Sequence, residues 1–297
     1  AVPAVLLSQI LLFRYWQDAK FGTIANLIAA AGIVLAWAAW NFNSMVNKEL
    51  KTFLPAANPT EKILAREMLA GLPPIVQTWL ERTNILGKPF VQVAHLRQKG
   101  RMRTSPDGKW MPVTAEQYAT ASKPGFFWIA DVQAAPGVSL AGRDKYENGK
   151  GYMLIKLASL FPVADARGPE TDQGAMLRYL GEMVWYPSAA VSEYITWEAV
   201  DSLSAKATMR YGGVEASGVF TFSPEGDLIR FEAMRYYDRK GGATLEKWQV
   251  RADPAGYREF DDIRVPGRFS VTWKLDSGDF TWFELEVTEL ELDGIKP

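Results

Sequence analysis

Four charged residues between positions 165 and 172 come nearest, by residue type and spacing, to a chemical site. Asp165, Arg167, Glu170 and Asp172 lie between an apolar strand and the start of a predicted helix. Backbone N–H groups at a helix start can hold an anion, and paired acids can transfer protons. Helix capping and salt bridging explain the same charges equally well. We treat the four as candidate ligand-binding residues and predict no catalytic role.

The inventory of reactive groups excludes most common enzymes. The chain has no cysteine and one histidine, so disulfides, thiolate nucleophiles and multi-histidine metal sites are absent. The acid spacing lacks the glycine and terminal glutamate of a calcium loop, and no G-x-S-x-G, G-x-G-x-x-G or P-loop motif occurs. We therefore predict no metal and no cofactor, and we favour a noncatalytic role. The net charge of −1 and the pI of 6.1 argue against a nucleic-acid partner.

Aromatic residues, 12% of the chain, are spread over the predicted strands. This distribution suits a wide apolar cavity, although most large rings simply fill a protein core. The candidates for a cavity lining are Trp110, Trp128, Trp185, Tyr186 and Trp248. A guanidinium at a cavity rim pairs bidentately with anionic oxygens, although surface solvation is the simpler role. The candidates for such a rim are Arg143, Arg178 and Arg235.

The first 42 residues predict a transmembrane helical hairpin. Gly22 to Trp40 contains nineteen residues without a charge, nearly enough for a hydrocarbon core of about 30 Å, and aromatic residues flank both ends. A shorter apolar stretch, 1–13, precedes it, and the initial alanine leaves open whether residues come before. A buried helix of a soluble core is the alternative. Positive charges are nearly balanced across the segment, and we expect a bacterial inner-membrane protein with its main domain outside the cytoplasm.

Beyond the hairpin we predict a linker at 43–59 and an α+β domain at 60–297. Helical periodicity covers Glu61–Leu69, Pro73–Leu86 and Thr171–Val184, and runs with a period of two, separated by short glycine-rich turns, cover most of the rest. Short turns require antiparallel neighbours. One face of these strands is apolar, so the sheet needs a cover.

Four segments resemble a bacterial family of membrane-associated proteins that is defined by a domain of unknown function. They are Leu72–Arg82, Gly108–Tyr118, Phe161–Pro187 and Tyr257–Leu275. The closing strands are also similar to those of lipoprotein carriers of the LolA/LolB type. That second resemblance implies a curved antiparallel half-barrel covered by helices, with a cavity for acyl chains.

Our first hypothesis is a membrane-anchored, noncatalytic domain that binds a lipid or another long apolar ligand. The second is an accessory subunit of a larger membrane complex, docked through its transmembrane helices and its sheet, where Ala29 to Gly32 would allow close helix approach. An enzyme that uses the acids between Asp165 and Asp172 is the third.

Overall fold

The apolar N-terminal segments form helices that pack antiparallel. The computed structural model describes residues 1–54 and 62–293, with α1 at Val2–Arg14, α2 at Trp16–Ala19 and α3 at Gly22–Phe53. The Gln9 side chain bonds Thr23 and Asn26 across the α1–α3 contact. Helix α3 runs eleven residues into the predicted linker, since 43–53 are helical, and residues 55–59 of that linker lie outside the described residues.

Strands with short connections build one large antiparallel sheet. Its first strands are β1 (Val93–Met102), β2 (Met111–Thr120), β3 (Gly125–Ala135), β4 (Val138–Glu147), β5 (Lys150–Leu157) and β6 (Phe161–Ala166). Its later strands are β7 (Ile195–Ala199), β8 (Ser204–Tyr211), β9 (Val214–Phe222), β10 (Leu228–Tyr237), β11 (Thr244–Ala252), β14 (Arg268–Leu275) and β15 (Gly278–Leu292). The order is β6-β5-β4-β3-β2-β1-β15-β14-β11-β10-β9-β8-β7, while β12 (Tyr257–Phe260) and β13 (Ile263–Pro266) form a separate ribbon.

The predicted α+β half-barrel is confirmed: a curved thirteen-stranded sheet is covered by a few helices. The cover consists of α4 (Pro74–Arg82), α5 (Pro169–Glu182) and short 3₁₀ segments at Arg66–Leu69, Met183–Trp185 and Pro187–Val191. Of the helix predicted at Glu61–Leu69, only that 3₁₀ turn forms among the described residues. The apolar run from Arg264 to Leu275 is divided between β13 and β14.

Helix α5 lies directly on the sheet because two small residues permit it. A side chain at Gly151 would come within 2.4 Å of the Thr171 carbonyl oxygen, and Gly181 has the ring of Phe231 against it. Asp172 fixes the start of the helix to the β4–β5 turn, since its carboxylate accepts from the Gly151 N–H and from Lys150, each at 2.9 Å.

The opposite, convex face of the sheet carries the end of α3. Phe42, Val46 and Phe53 form a small apolar cluster with Phe127 and residues of β4 and β5. Glu49 of α3 lies 3.2 Å from Arg143 and 3.5 Å from Lys145, which are outward-facing residues of β4. Upstream of Ala38 most large apolar side chains of α3 are exposed.

Candidate functional site

The concave face of the sheet is only partly filled, and its empty part is a cavity of about 540 Å³. Strands β1, β3, β4, β5, β10, β11, β14 and β15 form its walls, and the last turn of α5 closes its inner end. The large rings around it include Trp128, Trp185, Trp248, Trp273, Phe280 and Trp282. Its volume lies within the range of about 300–1,000 Å³ that is typical of small-molecule sites.

Strand alternation explains why these rings face inward. In β14, Phe269, Val271 and Trp273 line the cavity, and Thr272 between them bonds Thr281 on the other face. In β4, Gly142 and Asp144 face inward, and Lys145 faces α3. Period-two alternation therefore builds the apolar lining, as the sequence predicts.

One buried ionic cluster stands at the inner end of the cavity, around Arg178 of α5. Its guanidinium bonds Asp144 at 2.7 Å, Glu182 at 2.7 Å and Gln117 at 2.9 Å, and Gln117 in turn donates to Glu182 at 2.7 Å. Its charge also lies 4.5 Å from the ring centroid of Phe126. Burial acts to lower the pKa of Arg178, but the Glu182 and Asp144 carboxylates outweigh it and raise that pKa. The cluster is thus a saturated ion pair network.

A second cation of the lining, Arg235 of β10, is half-buried and has no such partners. Its guanidinium stacks 4.7 Å from the ring centroid of Trp248 and lies against Gly174 of α5. Within residues 1–54 and 62–293 it makes no hydrogen bond and no ion pair. Burial lowers the pKa of Arg235 to about 10, an effect that Asp144 opposes and Arg178 reinforces. The side chain therefore remains charged at neutral pH.

Two tryptophan N–H groups of the lining are also unsatisfied. The Nε1 atoms of Trp248 and Trp282 are buried and have no acceptor among the described residues. By contrast, Trp128 donates to Gln98 at 3.0 Å and Trp185 donates to the Pro266 carbonyl at 2.9 Å. The cavity thus offers donors that the chain itself does not use.

The cavity reaches the surface at one end of the sheet, where the exposed residues Thr104 and Asp238 belong to its lining. The strand pairing places the β1–β2, β3–β4, β10–β11 and β14–β15 connections at that same end. Helix α3 also leaves the sheet there: Phe53 packs beside Phe127 near the start of β3, and Glu49 lies further toward the β3–β4 turn. The apolar half of α3 and the mouth of the cavity therefore share one end of the domain.

Half of the twelve predicted site residues lie around this cavity. These six are Trp128, Arg143, Arg178, Trp185, Arg235 and Trp248. Arg143 belongs to the cavity lining through its place on β4, but its guanidinium points to the convex face, toward Glu49. The structure thus brings together residues that are more than a hundred positions apart in the sequence.

The other six lie elsewhere. Asp165, Arg167 and Glu170 are exposed, and Asp165 and Arg167 lie 3.6 Å from each other. Asp172 is occupied by its bonds to Lys150 and Gly151. Tyr186 is fully buried and donates to the Tyr179 carbonyl, and Trp110 stacks with Arg101 and Arg103 outside the cavity. The charged segment from Asp165 to Asp172 thus leads into the start of α5, away from the cavity.

Sequence reasoning missed part of the ionic cluster. Asp144, Glu182, Gln98 and Gln117 all face the inner cavity region, yet none stands out by type or spacing. The signal that was available is the four-residue interval between Arg178 and Glu182, which places both on one helix face. Among the described residues no group of three or more histidine, cysteine or acidic side chains is arranged to hold a metal ion.

The sequence profile of a family of unknown function, DUF6544, matches residues 62–285. The chain belongs to this family. The match covers the sheet domain and begins after the N-terminal helices. No curated protein matches the sequence. The predicted membership in a family of unknown function is confirmed, and the family description assigns no activity.

Two solved structures are similar in fold to this DUF6544 chain. One is a candidate outer membrane lipoprotein-sorting protein domain from Vibrio parahaemolyticus, with 11% identity, a TM-score of 0.39 and coverage of 75% of this chain and 92% of that one. The other is a DUF1329 family protein from Desulfovibrio piger, with 11% identity, a TM-score of 0.41 and coverage of 76% and 95%. Similarity at this level assigns no function.

The described residues include one helix that is long and apolar enough to cross a membrane, Gly22–Phe53. Only 6% of its most apolar window is buried in the protein, which differs from the core helix of a soluble domain. A membrane anchor and an N-terminal signal sequence both have these properties.

Proposed function

We propose that this protein is a membrane-anchored, noncatalytic domain that holds a lipid or another long apolar ligand in the hollow of its half-barrel. The observation that carries the proposal is the cavity of about 540 Å³, with its aromatic walls and few polar groups. Sites of this composition bury most of the surface of an apolar ligand. Membrane lipids are the ligand class that the tether would keep within reach.

The position of α3 supports the membrane part of the proposal. Its exposed apolar half leaves the sheet at the end where the cavity opens. Val138, Phe161 and Val163, at 40%, 61% and 56% exposure, belong to the strand ends on this side. Exposed apolar groups beside a membrane segment suit contact with the bilayer surface. In this arrangement a lipid would pass from the bilayer into the cavity without crossing water.

Arg178 and its acids do not argue for catalysis, because each member of the cluster is bonded to another member. A general acid or base needs a free position next to the reacting atom. A noncatalytic role is therefore the simpler account of the cavity.

The proposal is tested by filling the cavity. Gly142 lines it, and a Cβ there would meet its first neighbour, the Trp128 ring, at 3.7 Å, so Gly142→Phe directs a ring into the empty space. Native mass spectrometry of the full chain extracted in a neutral detergent should show bound lipid for the natural protein and little for this variant. Thr114→Phe, on the exposed face of β2, is the control and should retain the lipid.

Three other results would overturn the proposal: no lipid on the natural protein, equal lipid on Gly142→Phe, or release of lipid by Thr114→Phe as well. Stoichiometric copurification of another membrane subunit without lipid would favour the accessory-subunit hypothesis instead.

We also propose that the sheet domain lies outside the cytoplasm, tethered to the bacterial inner membrane. Because the chain contains no cysteine, a single introduced thiol reports the side without background. Thr114→Cys in intact cells should react with a membrane-impermeant maleimide. Reaction only after lysis would place the domain in the cytoplasm.

A further inference from the structure

We infer that the cavity selects amphiphiles with an anionic oxygen group, a carboxylate or a phosphate, and that Arg235 is the residue that binds this group. The inference rests on the proposed function and adds the chemical class of the ligand. Arg235 lines the cavity, carries a charge, and has no ion pair or hydrogen bond within the described residues.

A guanidinium that is half withdrawn from water into an apolar wall is destabilising unless it is paired. Desolvation of a charge without hydrogen-bonded partners opposes folding, so such groups are normally paired. Arg178 of α5, which lines the same cavity, follows this rule with three partners. Arg235 departs from it, and its five N–H donors are the pattern that carboxylate and phosphate oxygens match bidentately.

The neighbouring groups favour an acceptor as well. Trp248 is 96% buried, and its ring lies 4.7 Å from Arg235. Among the described residues neither its Nε1 nor that of Trp282, another residue of the lining, has an acceptor. The nearest acids, Asp144 and Glu182, already bind Arg178. A ligand with oxygens would therefore supply what the lining lacks, and the aromatic walls would contact its chain.

A purely structural account also exists for Arg235. Two acids surround Arg178, so Arg235 brings the charges of the inner region into balance through space. This account requires Arg235 for stability and gives it no preference between an anionic and a neutral ligand.

The experiment compares matched photoreactive lipids that share one acyl chain. The full chain is placed in phosphatidylcholine nanodiscs and irradiated with a diazirine fatty acid, the corresponding fatty alcohol, or the corresponding alkyl phosphate, and crosslinks to cavity peptides are counted. For the natural protein we expect the acid or the phosphate to exceed the alcohol about tenfold or more, as a charge-assisted bond implies. The two anionic arms show which oxygen group is preferred.

Arg235→Met should bring the anion-to-alcohol ratio close to one while crosslinking by the alcohol persists. Arg230→Met, on the same strand but facing outward beside Glu232, is the matched control and should keep the ratio. Circular dichroism and thermal unfolding check that each variant is folded. If Arg235→Met does not fold, Arg235→Lys replaces it, and the ratio should fall because the bidentate fork is lost.

The experiment distinguishes failure of the inference about the ligand class from failure of the proposed lipid binding. Equal labelling of the natural protein by acid, phosphate and alcohol, or an unchanged ratio in the Arg235 variant, overturns the inference about the ligand class and leaves lipid binding intact. Absence of cavity crosslinks with all three probes overturns lipid binding itself.

Discussion

Both halves of the concave face are rich in aromatic residues, but one half is tightly packed and the other encloses the cavity. Toward β8, β9 and β10 the interior is solid: Phe220, Phe222 and Phe231 are fully buried, and Phe231 packs so closely on Gly218 that a Cβ there would lie 2.3 Å from its ring. Toward β14, β15 and β1 comparable rings surround empty space. Aromatic strands alone therefore do not decide between a core and a cavity.

Hydrogen bonding separates the halves more clearly than burial. In the packed half, Tyr179 donates to the Thr120 carbonyl, Tyr186 to the Tyr179 carbonyl and Trp197 to the Ala190 carbonyl, while the Tyr146 hydroxyl has no partner within the described part of the chain. In the other half, the Nε1 atoms of Trp248 and Trp282 and the Arg235 guanidinium have no acceptor among the residues that the structure describes. Since buried polar groups are normally satisfied, the hollow half has the composition of a site whose ligand completes it.

The largest expected effect compares one substitution in each half. Phe231→Ala should cost about 3–5 kcal/mol of unfolding free energy, because neighbours on every side leave a cavity. Phe283→Ala faces space that already exists, so it should lose mainly the transfer free energy, about 1.5–3 kcal/mol. Urea unfolding of both variants measures the difference. Equal losses would mean that the second half is as well packed as the first.

The next effect concerns the ionic cluster between the halves. Arg178→Met should cost about 3 kcal/mol, because it leaves Asp144 and Glu182 as uncompensated buried charges. Arg210→Met removes the exposed pair with Glu215 and should cost less than about 1 kcal/mol. Thermal and urea unfolding compare the two. A small loss of unfolding free energy for Arg178→Met would show that water reaches the cluster and would contradict this account of its burial.

The smallest expected effect on stability concerns His95 on the convex face, outside the two halves compared above. A hydrogen bond to Glu116 at 2.6 Å raises the pKa of His95, against the effect of burial, and Glu291 adds to the rise. A raised folded-state pKa stabilises the protein below the unfolded pKa of about 6.5, and the gain disappears as the pH rises through the folded value. His95→Gln should therefore cost about 1 kcal/mol or less at pH 5.5, and less still at pH 8.5. Unfolding at both pH values tests the sign, and a larger loss at pH 8.5 would contradict it.

Much of the architecture can be predicted from the sequence. Alternation and glycine turns indicate an antiparallel sheet with one apolar face, and the apolar stripe of Met176, Leu177 and Leu180 indicates α5. The ends of elements are less predictable. Helix α3 continues past the polar residues after Trp40 because Phe42, Val46 and Phe53 pack on the sheet, a tertiary effect that local composition does not contain.

The candidate site could be predicted only in part. Trp128 and Trp248 are found from aromatic content, and Arg178 and Arg235 from charge, but their proximity depends on strand register across five or more strands. The Asp165–Asp172 segment is a candidate ligand site by sequence because its charges are close together in the chain. Asp165 pairs with Arg167 and Asp172 bonds the β4–β5 turn, an arrangement that a local pattern cannot distinguish from a ligand site.

The most direct test of the hollow half is anomalous diffraction from the full chain crystallised with a fatty acid brominated along its chain. We expect bromine density between the Trp128 and Trp248 walls, with the carboxylate within hydrogen-bonding distance of Arg235. Bromine density confined to the α1–α3 surface, with side chains closing the space between β15 and α5, would contradict the account.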